Sequence, residues 1–416
     1  MSNFILFIES NTTGTGMLAL SKTEAWGYTP ILYTNNPDRY IGLAETGYTV
    51  HRCDTNNLLT LRETIEQTVD HKQICGITTT SEFYLEQVSE LAAYYKLPGN
   101  SILAVQQARN KAATRRALHL VGINQPLYYI VENIEQLQSV VEEIGLPCIV
   151  KPVDDSGSND VLLCDTFAIV EKQAKKIWNV TTNIRGQQKS SQILVEQYMQ
   201  GPEYSVESLT WQGKTNILGI TQKSLTGLPF FVESGHVFPA QLLPEQYEHI
   251  QQTVLRALHA IDFQSGAAHT EVKLTSTGCA IIEINGRLAG GMIPELIRLS
   301  TGVDLLEQQM YCALDGPKIK IIKPHSVAEI RFIMADRAGR VKQIDGVEQA
   351  KQLEGIHQVQ INTKLDQYVQ SPENAYHRLG YVIGYGDTAE QVSTFLDNAL
   401  QIIRITIDEK VQEEVF

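Results

Sequence analysis

Long apolar runs are missing from this chain. No segment of the 416 residues approaches the roughly 18 uninterrupted apolar side chains that cross a bilayer, and Met1–Ser10 has no basic stretch leading into an apolar core and cleavage site. The expectation is a soluble, cytoplasmic protein with no membrane partner. Cysteine is sparse and scattered: Cys53, Cys75, Cys148, Cys164, Cys279 and Cys312 contain no C-x-x-C pair, which disfavours zinc and dithiol redox motifs and leaves reduced thiols. Positive charge is in deficit, 34 Lys and Arg against 47 Asp and Glu for a net charge of −13, so the chain lacks the basic surface that a nucleic-acid backbone needs. A local basic pocket for a small anion remains compatible with that balance. There is no fixed-period repeat and no low-complexity tract. What is present is an ordinary globular composition, and at roughly 150 residues per domain the length implies two to three domains.

The opening reads as a βαβ unit: the apolar run Phe4–Glu9, a Gly-containing turn over Ser10–Gly16, a helical stretch Met17–Trp26 and a second apolar run Ile31–Tyr33. A strand over Cys75–Thr80 and a helix near Phe83–Tyr95 complete an N-terminal doubly wound α/β domain that closes near residue 105. A basic helix, Gln106–Leu120, follows and carries Lys111. Then come Leu127–Val131, a helix Ile134–Ile144 and a strand Cys148–Val150. Proline cannot extend a central strand, so Lys151 is expected where strand gives way to loop. The polar loop Asp154–Asp160 is a natural flap over a ligand, and Ile193–Tyr198, Tyr204–Thr210 and Thr215–Thr221 read as further strands. Toward the end, Ser326–Met334 and the helix-like Thr388–Ile403 suggest a smaller α+β unit from about 321. The expected domains are 1–105, 106–197 and 198–416.

The most informative stretch is His269–Arg287. Two β-like runs, His269–Leu274 and Cys279–Asn285, flank the turn-rich Thr275–Gly278, and a turn centred on Thr277 puts Glu271 opposite Glu283 and His269 opposite Asn285. Like charges directly opposite on one face destabilise a sheet unless a cation lies between them or one binds a proton. By alternation Glu283, Asn285 and Arg287 share a face, as do His269, Glu271 and Lys273. Two carboxylates and an amide oxygen form a hard, all-oxygen partial shell suited to magnesium when phosphates and water complete it, and Arg287 can neutralise developing negative charge beside it. The bland alternative is a solvated hairpin with simple ion pairs. Lys111 on a basic helix, Lys151 at a strand end and backbone N–H groups of the loop after it add a phosphate-binding order.

That order resembles the ATP-grasp family of carboxylate-amine ligases: Lys111, Lys151, the loop Asp154–Asp160, the strand and hinge Val195–Tyr198, Gly201-Pro202-Glu203, Glu271, and Glu283-Ile284-Asn285-Gly286-Arg287. The resemblance covers nearly the whole chain. It implies an ATP-grasp fold, α/β and α+β in class, with an N-terminal doubly wound domain, a central lid subdomain and a C-terminal α+β domain, and a homodimer as the usual assembly. It implies ATP as substrate, phosphates on Lys111 and Lys151 under a loop containing Ser158, and adenine read by Glu196 and the backbone of Gln197 and Tyr198. Glu203 would accept from the ribose. Two magnesium ions, with manganese as an alternative, would lie on Glu271, Glu283 and Asn285. Arg287 would stabilise an acyl phosphate and the tetrahedral intermediate that follows.

Thr79-Thr80-Ser81-Glu82, Gly235-His236, His269-Thr270-Glu271 and Arg287–Gly291 are similar to the branch that joins amino acids, the L-amino-acid or dipeptide ligases of peptide and antibiotic biosynthesis. By that resemblance Glu82 would hold an amino group, and Arg287 with Gly290 and Gly291 a carboxylate. His269, in preference to His236, would orient the nucleophile or accept its proton. Small-molecule carboxylate and amino-acid substrates are implied. The competing readings are another ATP-grasp enzyme, biotin-carboxylase-like or of purine-pathway type, and a nucleotide-binding sensor without turnover.

Overall fold

A computed structural model describes residues 3–12, 15–226, 228–314, 316 and 322–408. The expected turn at Ser10–Gly16 includes Thr13 and Gly14, and the expected start of the α+β unit falls on Ile321; all three lie outside the described residues. The N-terminal sheet is parallel, with Phe4–Ile8 at its centre between Thr29–Thr34 and Ile74–Thr78, and Thr49–Arg52 at the edge. Helices Thr15–Ala25, Leu58–Thr68 and Leu85–Tyr95 belong to the same unit. The strand order reverses beside Phe4–Ile8, so the carboxyl ends of the central strands, at Ser10 and Thr79–Glu82, open at a switch point.

The single helix expected over Gln106–Leu120 is two, Ile102–Arg109 and Lys111–Leu120. Asn110 lies in extended backbone between them, and its side chain accepts from the Ala113 N–H. Asparagine is among the strongest N-cap residues, and the break places Lys111 in the first turn, its N–H donating to Val153 O at 2.8 Å.

The next unit is an antiparallel sheet in the order Tyr128–Val131, Ile193–Gln197, Cys148–Pro152, Leu162–Cys164, covered by helices Leu137–Ile144 and Phe167–Trp178. The strand carrying Lys151 does not stop before Pro152: Lys151 pairs with Leu194 and Pro152 with Ile193. The partner on the other side ends at Val150, so Pro152 occupies an edge position where a missing donor is tolerated.

The central sheet has eight strands, ordered Gly278–Asn285, Ser265–Thr275, Glu203–Trp211, Lys214–Leu225, Glu233–Phe238, Val327–Met334, Arg378–Gly386 and Ile356–Ile361. Strands from the C-terminal region thus continue this sheet, while Gly339–Asp345, Tyr368–Val369 and Arg404–Asp408 make a small sheet of their own. One face packs Val206, Ile220, Val272, Ile281 and Ile284 against helix Pro244–Ala260. Each fully buried aliphatic side chain stabilises by about 1.5–3 kcal/mol, so this face holds the register; a one-residue slip would drive Glu271 and Glu283 into the core. The opposite face is charged. Among the described residues no helix is long and apolar enough to cross a membrane.

Candidate active site

Between the lid sheet and the charged face lies a cleft of about 1300 Å³, and it takes in every residue given a binding or catalytic role from the sequence except Glu82. The carboxylate hairpin is its floor. Glu271 faces Glu283 and His269 faces Asn285, yet nearer the turn the pairing is Val272 with Ile281 and Thr275 with Gly278. The turn is therefore one half-residue earlier than expected, and a bulge at Ile282 restores the register at the chemical end. The bulge lets Ile282 and Glu283 both line the cleft while Ile281 and Ile284 stay in the core.

It also presents two successive carbonyls to Arg115, which is 1% exposed: the guanidinium donates to Ile281 O at 3.2 Å and to Ile282 O at 2.7 Å. Arg115 binds Glu196 through both carboxylate oxygens, at 2.7 and 3.3 Å, and Lys151 Nζ completes the set at 2.7 Å. Burial alone would raise the Glu196 carboxyl, but Arg115 and Lys151 hold it down to about 2. Lys151 is pushed below the usual lysine range by burial and by the neighbouring Arg115, against the pull of Glu196. Lys111 Nζ stands between Glu283, at 3.0 Å, and Asp155 O, at 2.6 Å. Burial opposes its charge, and Glu283 more than offsets that. The loop over the lysines is tightly wound, with Gly157, Ser158 and Asp160 all at positive φ, and Lys189 fastens it through Asp155 at 2.8 Å.

Beside the hairpin, Lys223 Nζ touches Glu203 and Glu233 at 2.9 Å and Glu271 at 2.8 Å. Burial would lower this ammonium, but the three carboxylates carry it well above the usual range. Arg287 Nε is 2.5 Å from Glu82, which also accepts from Arg109 at 3.1 Å. Gly290 and Gly291 precede helix Ile293–Thr301, whose first turn opens toward the cleft. His236 is fully enclosed; among the described residues neither ring nitrogen has a hydrogen-bond partner, and Nε2 stands 3.7 Å from Glu233. Burial pushes it down to about 4, so it is neutral at pH 7.

Among the described residues, no three His, Cys, Asp or Glu side chains gather closely enough to hold a metal by themselves. Glu271, Glu283 and Asn285 nonetheless supply hard oxygen donors on one face, with the ammonium groups of Lys223 and Lys111 resting against the two carboxylates. That donor set fits a divalent ion whose remaining ligands are phosphate oxygens and water.

Residues 144–295 match the ATP-grasp domain profile, and residues 331–408 match the L-amino acid ligase C-terminal domain 2, between them more than half of the chain. The chain is an ATP-grasp ligase. It is similar to an uncharacterised protein, y4rH, of Sinorhizobium fredii, 29% identical over 97% of this chain and 83% of that one. It is 26% identical to the alanine–anticapsin ligase of Bacillus subtilis over 59% of this chain and 56% of the relative, so that alignment spans little more than half of either. The fold is also that of an L-amino acid ligase from Bacillus licheniformis, with a TM-score of 0.80 at 23% identity, covering 98% of this chain and 100% of the other.

In this ligase three residues with expected roles already have charged partners. His269 is engaged on both sides here: Nδ1 is 2.7 Å from Glu207 and Nε2 3.3 Å from Glu271, and these carboxylates hold the imidazolium up to about 9 against the cost of burial, which disfavours a role as base. Glu82 is not free for an amino group, because Arg287 and Arg109 occupy it and, against burial, keep it down to about 2. Glu196 is not free to read adenine, since Arg115 and Lys151 take up its oxygens, and the Gln197 N–H already donates to Leu127 O inside the lid sheet. Tyr198 remains at the hinge, with Lys273 Nζ 5.3 Å from its ring centroid. Lys223 and Arg115 are the site residues that sequence reasoning missed. Arg115 lies in the basic helix, whereas Lys223 carries no local signal in the sequence.

Proposed function

We propose that the ligase joins the carboxylate of one amino acid, or a related acid, to the amine of another, through an acyl phosphate, with release of ADP and phosphate. The observation that carries this reading is the facing of Glu271 by Glu283 beneath two buried lysines, with Arg287 at the mouth of the hairpin. The C-terminal domain of L-amino acid ligase type and the similarity to a ligase for alanine and anticapsin support amino acids as substrates, in peptide or peptide-antibiotic synthesis.

A carboxylate is a poor acylating agent until one oxygen becomes part of a better leaving group. Lys111 and Lys151 would hold the nucleotide phosphates under the Asp154–Asp160 loop, and Glu203 would accept from the ribose. Magnesium bound by Glu271, Glu283 and Asn285 would supply positive charge that lets two anions approach. The γ-phosphoryl group passes to the substrate carboxylate and ADP departs. The amine then attacks the carbonyl carbon, its C–O bond to phosphate breaks, and phosphate leaves. Arg287, oriented by Glu82, would stabilise the developing oxyanion. His236, neutral and with no hydrogen bond on either ring nitrogen, would orient the amine or receive its proton. Glu207 and Glu271 would keep His269 as a fixed positive group beside the reacting phosphate.

Release of ADP in the presence of magnesium, screened against pairs of amino acids with mass spectrometry of the product, tests the proposal. Glu283→Gln should abolish turnover and leave the fold intact. Full activity in that variant, or no pair that stimulates ADP release, would remove it.

A further inference from the structure

A second cavity of about 1330 Å³ opens off the cleft on the side of the C-terminal domain, and the two share Gly291, Ala375 and Arg378. Gly291 lines both. Its φ is +58°, and a Cβ there would come 2.6 Å from His236 Nε2, so a side chain at this position is both strained and obstructed. Beyond it the wall is aromatic and amide-bearing, including Phe332, Gln370 and Tyr381, and among the described residues it contains no Asp or Glu. Two polar groups are enclosed there without partners: the hydroxyl of Thr363, a residue 9% exposed, and Nε of Arg378. Arg378 is itself held in place by Glu233 at 2.7 Å and by the Phe332 ring, 3.7 Å from the guanidinium carbon.

Resting on the ligase reading above, we propose that this cavity receives the side chain of the substrate held at Gly290–Gly291, and that the side chain is extended and ends in a carbonyl group, either carboxamide or carboxylate. An ammonium or guanidinium end would enter a wall with no carboxylate to replace its water. An aliphatic end would leave the Thr363 hydroxyl and the Arg378 Nε–H unsatisfied, as they are now. A carbonyl end offers an acceptor to either. The amide side chains beside them, such as Gln370, complement a carboxamide as well as a carboxylate.

The test holds one amino acid constant and varies the other among alanine, leucine, lysine, glutamate and glutamine. ADP release and calorimetric binding are both measured for the wild type, Thr363→Val and Thr363→Phe. Wild type should prefer glutamine or glutamate over the other three by about tenfold or more, and Thr363→Val should remove most of that preference while alanine changes by no more than about twofold. Thr363→Phe should exclude the long substrates; where it fails to fold, the near-isosteric Thr363→Val carries the test. A preference for lysine or leucine, or an equal effect of Thr363→Val on alanine and glutamine, overturns the assignment. Absence of ADP release with every pair would count against the ligase reading alone, because the binding arm still decides what the cavity takes. Glutamine and glutamate separate the two carbonyl ends.

Discussion

Lys223 Nζ lies 2.8 Å from Glu271 Oε1, and the same ammonium compensates Glu203 and Glu233. One buried cation therefore serves three carboxylates. Lys223→Met should destabilise the nucleotide-free protein by about 3–5 kcal/mol, because removing one partner of a buried ion pair strands the other charges. Magnesium or manganese should recover part of that loss, raising the melting temperature of the variant more than that of the wild type, since an ion that binds only the folded state adds stability by mass action. Equal shifts in the two proteins would show that Glu271 does not exchange its ammonium for a metal.

His236 gives the protein a pH-dependent stability of known sign. The groups around it are Glu233, which favours its protonation, and Lys223, Arg378 and His269, which oppose it; burial dominates and lowers it from 6.5 to about 4. The unfolded chain binds a proton here below about pH 6.5 and the folded chain does not. Stability is therefore complete above pH 6.5 and is lost as pH falls toward 4, by up to about 3 kcal/mol from this residue. Denaturant unfolding at pH 7, 5.5 and 4.5 should show a shallower decline in His236→Gln than in the wild type. Parallel declines would mean that the ring is charged in the folded protein.

The contacts from Ile282 O through Arg115 and Glu196 to Lys151 join the hairpin to the phosphate-binding strand. Glu196→Gln should lower ATP affinity by about tenfold or more, as Lys151 loses the charge that fixes its position, and should also destabilise the fold by about 3–5 kcal/mol. Nucleotide titration at a temperature where the variant remains folded checks the first effect separately from the second. Unchanged ATP affinity would leave Glu196 as a structural anion only.

The chemical end of the hairpin was legible because alternation with a buried face permits one register, and Glu271, Glu283 and Asn285 had to share the other face. Its turn was not, because nothing in the Ile281-Ile282 pair marks one of them as an extra residue. The break at Asn110 did have a signal, a capping residue ahead of Lys111-Ala112-Ala113, overridden by the helical pattern on either side. The protonation of His269 and the ion-pair role of Lys223 depend on Glu207 and Glu271, carboxylates 62 and 48 residues away, and only the folded sheet brings these groups into contact. Position along the chain locates Glu82 and Glu196 but does not reveal which cations already hold them.

The segment 181–190 of the lid subdomain reaches back to the N-terminal domain and grips the phosphate loop at the same time. Arg185 donates to Ser10 O at 3.2 Å, Asn56 Nδ2 donates to Arg185 O at 3.0 Å, and Gln187 Nε2 donates to Phe83 O at 2.8 Å. Lys189 binds Asp155 at 2.8 Å, and the Ser190 N–H donates to Asp154 at 2.7 Å. Each neutral hydrogen bond contributes about 0.5–1.5 kcal/mol, so removing the Asn56 and Gln187 contacts together weakens this latch by about 1–3 kcal/mol. That is a factor of roughly five to 150 in the opening equilibrium of the lid. Asn56→Ala with Gln187→Ala should therefore speed hydrogen exchange across residues 154–160 by about fivefold or more and raise the KM for ATP, while exchange in the central sheet stays unchanged. Faster exchange in both regions would show that the contacts support the fold as a whole, and no change in 154–160 would uncouple the latch from the loop.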